Sequence, residues 1–223
     1  MLSAEEIRTN YAVVLKRIAA ACGRSGRSAG DVTLVAVTKT FPAEAVTSAI
    51  AAGAHEIGEN RVQEGRDKRP LVQGSARWHL IGHLQSNKAK DAVRVFDVIQ
   101  TIDSVSLAEK VGKAAVGAGK RIEVLLEVNI GREPQKTGAD PDEVEALARG
   151  VRGVEGLNLT GLMTIPPVSD EQATRAYFRE LRSMRDALGL KHLSMGMTDD
   201  FETAIEEGAT IVRVGRAIFG SRG

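Results

Sequence analysis

IEVLLEV (122–128) and LNLTGLM (157–163) are apolar runs of strand length, and DPDEVEALARGVRG (140–153) between them carries the marks of a helix. Asp140 offers an N-cap, Pro141 suits the first turn, and Glu143 supplies a carboxylate that can return to the cap backbone. Two strands joined through a helix need a crossover connection, so they lie parallel. The same unit recurs on both sides. Runs at 33–37, 55–58, 77–81, 98–102, 192–194 and 210–214 complete a set of eight strands. Their spacing averages about 25 residues, the length of one strand, one helix and two short connections. Eight such units in 223 residues favour a closed (β/α)8 barrel, the TIM barrel. An open doubly wound sheet is the alternative, because periodicity fixes the alternation of elements and not whether the edge strands meet.

Ahead of the first strand, Ile7, Tyr11, Val14, Ile18 and Cys22 recur at spacings of three and four, the apolar stripe of an extra N-terminal helix. This helix is expected outside the barrel or across its floor. Ser169 with Gln172 reads as a capping box, and Tyr177, Leu181, Met184 and Leu188 form one face of the helix that follows. The run RVQEGRDKR (61–69) mixes two acids among its cations and reads as a solvated helix face. No stretch reads as a linker, so residues 1–223 are expected to form a single domain.

Composition narrows the function classes. Hydrophobic residues make up 43% and charged residues 26%, which describes a soluble chain with one sizeable core. Lysine plus arginine number 30 against 29 acids, a net charge of +1, so nothing in the balance points to nucleic acid or an anionic membrane. Aromatics at 4% argue against base-stacking platforms. Cys22, the one cysteine, cannot form an intrachain disulfide and falls on an apolar stripe, so a buried thiol and a cytoplasmic setting are expected. The apolar runs are too short to cross a bilayer, and no targeting segment is expected at the N-terminus.

In a parallel barrel the C-terminal ends of the strands open onto one face, where side chains just beyond each strand converge on a ligand. This rule selects Lys39, Glu59 and Asn60, His83, Asp103, Asn129, Met163 and Thr164, residues 194–198, and Gly215. Lys39 at the end of an apolar strand either escapes to solvent, the commoner outcome for a lysine, or is held in a pocket. A held, partly desolvated amine attacks an aldehyde to give a Schiff base. Small residues at Gly196 and Gly215 follow the last two strands, where barrels often bind phosphate; each alone is also what a plain tight turn looks like.

Other patterns carry less. His79 and His83 have the spacing of a zinc pair but lack the glutamate of HExxH, so no metal site is expected. GVRGVEG (150–156) does not match the dinucleotide fingerprint, and Trp78 and the five phenylalanines read as core.

VAVTK (35–39), HEIGENRVQE (55–64), WHLIGHLQSNK (78–88), QTIDS (100–104), LEVNI (126–130), GLMTI (161–165), LSMGMTDDFETAI (193–205) and VRVGRAIFG (212–220) together resemble the YggS/PROSC family, the pyridoxal 5′-phosphate (PLP) homeostasis proteins. The resemblance implies a barrel similar to the N-terminal domain of alanine racemase, with PLP bound as an internal aldimine on Lys39. It implies phosphate contacts from Ser194, Gly196, Gly215 and Arg216, and Arg213 facing the pyridine nitrogen. Asn60, His83 and Met163 are implied as pocket-lining positions. Many members have a threonine or serine where this chain has Arg216, so the contact expected there is the backbone amide, with the guanidinium available for phosphate.

The expected role is a carrier and regulator of PLP, not an enzyme. An arginine opposite the ring nitrogen disfavours its protonation and leaves a poor electron sink. A racemase also needs a second base, which related enzymes draw from a further domain; this chain leaves no room for one, and Tyr11 and Tyr177 fall on outer helices. The expected partners are PLP and, transiently, apo forms of PLP-dependent enzymes, and the expected state is a monomer or weak dimer. A slow PLP-dependent racemase or lyase is the alternative. A third reading is an aldolase-like barrel whose lysine condenses directly with a phosphorylated substrate.

Overall fold

Closure is decided at the seam between the first and last strands. In the computed structural model, which describes residues 2–221, β1 (Thr33–Val37) pairs in parallel with β8 (Ile211–Val214), matching Thr33 with Ile211 and Ala36 with Val214. Between them run β2 (Glu56–Glu59), β3 (Arg77–Leu80), β4 (Val98–Ile102), β5 (Ile122–Glu127), β6 (Leu157–Met163) and β7 (His192–Ser194). Each pairs in parallel with its sequence neighbour, giving a closed eight-stranded barrel and removing the open sheet.

Alternation along the strands sorts side chains between two cores. Val35, Val98, Leu125, Met163 and Ile211 pack together as one buried cluster, the barrel's inside. Their neighbours Leu34 and Ala36, Ile99, Val124 and Leu126, Leu162 and Val212 belong to the larger layer between strands and helices. One irregularity falls between β5 and β6, where Val124 matches Leu159 but Leu125 matches Gly161. Thr160 is the extra residue, and its hydroxyl donates to Glu123 Oε1 at 2.9 Å.

The helices are α1 (Ala4–Arg24), α2 (Ala43–Ala51), α3 (Val62–Lys68), α4 (Ala89–Val95), α5 (Val105–Gly117), α6 (Val144–Arg152), α7 (Glu171–Ala187), α8 (Phe201–Glu206) and α9 (Arg216–Phe219). Ser3 and Glu6 close a capping box at the start of α1, which buries Ile7, Tyr11, Val14, Ile18 and Cys22. That helix lies outside the barrel and packs on α2, α8 and α9, so it straps the β8–β1 seam. Asn10 Nδ2 donates to the Ile218 carbonyl at 3.1 Å, Tyr11 Oη donates to the Gly53 carbonyl at 3.3 Å, and the Arg17 guanidinium covers the Phe201 ring at 4.6 Å. None of the described helices is long and apolar enough to cross a membrane.

At two helix starts the structure differs from the sequence reading. Asp140 caps a 3-10 turn over Pro141–Glu143 and accepts from the Asp142 amide, and α6 begins only after that turn. At α7 the cap is Asp170, whose Oδ1 accepts from the Ala173 amide at 2.8 Å, and Ser169 bonds the Thr174 hydroxyl instead. The helix starts one residue later than a Ser169 cap requires, and the carboxylate is the stronger acceptor. Beyond it, Thr174, Phe178 and Leu181 are buried, flanked by half-buried Tyr177, Met184 and Leu188.

Gly161 sits where β6 meets β7 with no room for a side chain. A methyl group there would lie 2.4 Å from the His192 carbonyl oxygen, which is backbone and cannot swing aside. Gly161→Ala is expected to lower stability by about 1–3 kcal/mol, read as a lower denaturant midpoint at unchanged slope.

Candidate functional site

The strand C-termini open onto a cavity of about 710 Å³, within the size range of small-ligand sites. Six of the nine contact residues implied by the family resemblance line it, Lys39, Asn60, His83, Arg213, Gly215 and Arg216, as do Met197 and Thr198 from the strand-end selection. Three of the nine do not. Met163 is fully buried in the barrel's inner cluster. Ser194 is also fully buried, its hydroxyl engaged below the cavity floor by Arg213 and Gln100. Gly196 adopts φ +92°, and a Cβ there would fall 2.6 Å from Ala204 Cβ, so its place in the turn is set by the close approach of α8.

Lys39 sits on a tight turn straight after β1 and is half-buried. The turn is over-determined. Thr40 adopts φ +70°, a left-handed conformation that a β-branched residue takes only under constraint. The constraint comes from both sides of the lysine. The Thr40 amide donates to Glu64 Oε2 at 3.0 Å, the Phe41 amide donates to the Thr38 carbonyl at 3.1 Å, and Thr38 Oγ1 donates to Glu59 Oε1 at 2.5 Å. Lys68 Nζ then donates to both the Thr38 carbonyl and Glu59 Oε1, each at 2.7 Å. Lys68 therefore departs from the solvated face expected of residues 61–69. Its side chain is 13% exposed, and that of Glu59 is 0%. Burial pushes the Glu59 carboxyl up, and the bonds from Lys68 and Thr38 pull against it.

Arg213 supplies the floor. It pairs in register with Val35 on the neighbouring strand, so the seam that closes the barrel brings it beside the strand that ends in Lys39. Its guanidinium is buried, donating to Ser194 Oγ at 2.7 Å and to the Thr164 carbonyl at 2.9 Å. Among the described residues no carboxylate lies within 4 Å of it. Burial lowers its pKa to about 10, with Asp200 and Glu127 acting in the opposite direction, so it remains a cation at neutral pH.

The remaining walls mix apolar and polar groups. Phe41, Ile81 and Ile165 line the cavity, and Phe41 rests on Phe219 with ring centroids 5.2 Å apart. Phe41 is thus a wall residue, whereas Phe96, Phe178, Phe201, Phe219 and Trp78 are buried as core. His83 is 48% exposed, with Nδ1 3.7 Å from Asp103 Oδ2. Next to it Gly82 passes so near Asn60 that an added Cβ would meet the Asn60 carbonyl. Glu127 also lines the cavity; its Oε1 accepts from Thr137 Oγ1 at 2.9 Å, and burial raises its carboxyl pKa. Arg216 at the rim forms two 2.5 Å bonds to the Asp199 carboxylate. Asn129, selected from its position after β5, instead ties the following loop through both its amide atoms to the Glu133 backbone.

Glu127 follows Leu125 at a spacing of two, which assigns it to the inner face. That parity was the available signal for a residue the strand-end rule passes over. Lys68 had no such signal, since its partner Thr38 lies 30 residues away.

Cations at the floor and rim with apolar walls between suit a small planar anion, and a lysine on the adjoining strand suits one bearing an aldehyde. The family model described as alanine racemase, N-terminal domain, matches residues 13–223, and the chain belongs to that family. Within it, the sequence is 41% identical over 217 residues to the pyridoxal phosphate homeostasis protein of Aquifex aeolicus, covering 94% of this chain and 95% of that one. A crystal structure of a protein from Bifidobacterium adolescentis superposes with a TM-score of 0.92 at 42% identity, over 98% of both chains. PipY of Synechococcus elongatus, solved with PLP bound, gives 0.82 at 36% identity, over 93% of this chain and all of that one.

Removing Lys68 tests the support of the Lys39 turn. Lys68→Met is expected to cost about 3 kcal/mol, the low end for stripping a buried ion pair of one partner, with Glu59→Gln/Lys68→Met regaining part of the loss. Without Lys68 the Glu59 carboxyl is raised further, so the single variant's deficit shrinks as pH falls through the carboxylate range. It grows as pH rises through the raised folded-state value. Urea melts at several pH values read both effects.

Proposed function

We propose that the cavity holds pyridoxal 5′-phosphate through Lys39 as an internal aldimine, the lysine amine and the aldehyde joining with loss of water. The chain then serves as a single-domain carrier and regulator in vitamin B6 homeostasis, with no robust catalysis of its own. In this reading the phosphate lies against the backbone of Gly215 and Arg216 and the turn at Gly196. The ring nitrogen faces Arg213, and Asn60 and His83 flank the ring. Ser194 and Met163 act from beneath, the first by holding Arg213 and the second by filling the floor. Partners in this reading are the cofactor and, transiently, enzymes that lack it.

One observation carries the proposal: the buried Arg213 guanidinium, one strand from Lys39, remains cationic with a pKa of about 10. Bound PLP offers an aldehyde for amines and a ring that withdraws electrons best when its nitrogen is protonated. A fixed cation opposite that nitrogen opposes protonation. Neither tyrosine lines the cavity, so no phenol stands ready as a second base. The relatives named for PLP homeostasis and the PLP-bound PipY support the assignment of ligand and role. The slow racemase or lyase reading rests on His83, a titratable ring at the rim.

The purified protein is expected to absorb as a PLP Schiff base. After borohydride reduction and proteolysis, mass spectrometry is expected to locate the pyridoxyl group on Lys39, and Lys39→Ala loses the adduct. An adduct elsewhere, or an unchanged band in Lys39→Ala, overturns the assignment. Rapid exchange of amino-acid α-protons would select the enzyme reading.

A further inference from the structure

Beneath Arg213 and Ser194 the barrel's interior continues a chain of polar side chains, Gln100, His79 and Glu56, that none of the binding roles above uses. From the cavity floor, Arg213 Nη1 donates to Ser194 Oγ at 2.7 Å, and Ser194 Oγ donates to Gln100 Oε1 at 2.6 Å. Gln100 Nε2 lies 2.9 Å from His79 Nδ1, and His79 Nε2 lies 2.6 Å from Glu56 Oε2 at the opposite end of the barrel. Ser194, Gln100 and His79 are all buried. The groups span β8, β7, β4, β3 and β2, so the chain crosses the whole barrel.

Donor and acceptor counting fixes the direction of every bond. A guanidinium only donates, so Ser194 Oγ accepts, and its single proton is left for the Gln100 carbonyl. The amide then presents its NH2 group to His79 Nδ1, which must be unprotonated. The ring proton sits on Nε2 and is donated to Glu56, a carboxylate that only accepts. The chain is therefore consistent with a neutral, Nε2-protonated His79. Turning the Gln100 amide over would face Ser194 with two donors and leave its proton without an acceptor in the chain. It would also demand a proton on His79 Nδ1.

We propose that Gln100, backed by His79 and Glu56, is a positioning residue for Arg213: it holds Ser194 as an acceptor and so fixes the guanidinium at the cavity floor. The consequence for PLP rests on the function proposed above, whereas the proton arrangement does not. Without Gln100, Ser194 is free to rotate, and Arg213 loses its one side-chain acceptor of fixed orientation. A glutamate at this position keeps an acceptor for Ser194 and accepts a second proton from His79, giving an imidazolium between two carboxylates.

Two measurements on the full chain decide the matter. Nitrogen-15 histidine spectra are expected to show His79 neutral with its proton on Nε2, whether or not PLP is bound. An Nδ1-protonated ring or an imidazolium at neutral pH in the unsubstituted protein overturns the proposal. Gln100→Leu, similar in volume, is expected to weaken PLP retention roughly tenfold, the cost of one buried hydrogen-bond partner. Gln100→Glu is expected to retain PLP near the original level while converting His79 to the imidazolium, with melting curves confirming that both variants fold. If Gln100→Leu retains PLP normally, or a folded Gln100→Glu loses it as Gln100→Leu does, the positioning role is lost. Should the protein bind no PLP at all, the function proposed above fails, and the histidine spectra still decide the chain.

Discussion

A guanidinium inside a closed barrel has to be solvated by the barrel itself. Arg213 is buried except where it lines the cavity, and an unpaired buried charge is among the costliest features a fold can carry. The usual remedy, a carboxylate in contact, would neutralise the cation and remove its reach into the cavity. Here the positive charge is met by neutral acceptors, the Ser194 hydroxyl and the Thr164 carbonyl, with Asp200 and Glu127 acting at a distance. Burial lowers the Arg213 pKa to about 10, which weakens the cation without discharging it. An anion or a ring nitrogen entering from the mouth meets a fixed positive centre already stripped of water, which makes the interaction stronger than it would be in solution.

Lys39 presents the complementary problem. A lysine stem is flexible, so whatever orientation it has must come from the backbone that carries it. The left-handed Thr40 and the contacts on Thr38 give that turn essentially one conformation, and the Glu59–Lys68 pair extends the restraint into α3. Strain of this kind persists only where the surroundings enforce it. The two halves of the site meet because β1 closes on β8, and α1 straps that seam from outside. The N-terminal helix is thus part of the site's construction although none of its residues lines the cavity.

Strand positions were legible in the sequence because eight apolar runs of strand length alternate with helical segments. Residues just beyond the strands were legible for the same reason: the barrel collects them at one mouth, as Lys39, Asn60, His83 and Gly215 illustrate. Closure was favoured by the count of eight units, and the register of β1 against β8 establishes it. The floor was harder to read. Gln100 and His79 sit within strands, where a polar residue looks the same whether it faces a neighbour inside the barrel or the helix layer outside. Ser194 and Met163 were selected by resemblance as contacts, yet strand alternation turns both side chains down into the barrel. Lys68 looked solvated because its neighbours Arg66 and Asp67 are solvated, and nothing local reveals that a lysine folds back onto a strand end.

The proposed carrier role turns on where the site places its charge. A site built for carbanion chemistry places a proton source at the ring nitrogen and bases on both faces of the reacting carbon. The floor here offers the reverse: a permanent donor cation, oriented by a hydroxyl that is itself oriented by an amide. In the proton arrangement proposed above, each link has only one arrangement that satisfies all its donors. The cavity combines a buried cation at its base, a constrained lysine turn and an open mouth. The rim carries the exposed Arg216–Asp199 pair, in water that screens it.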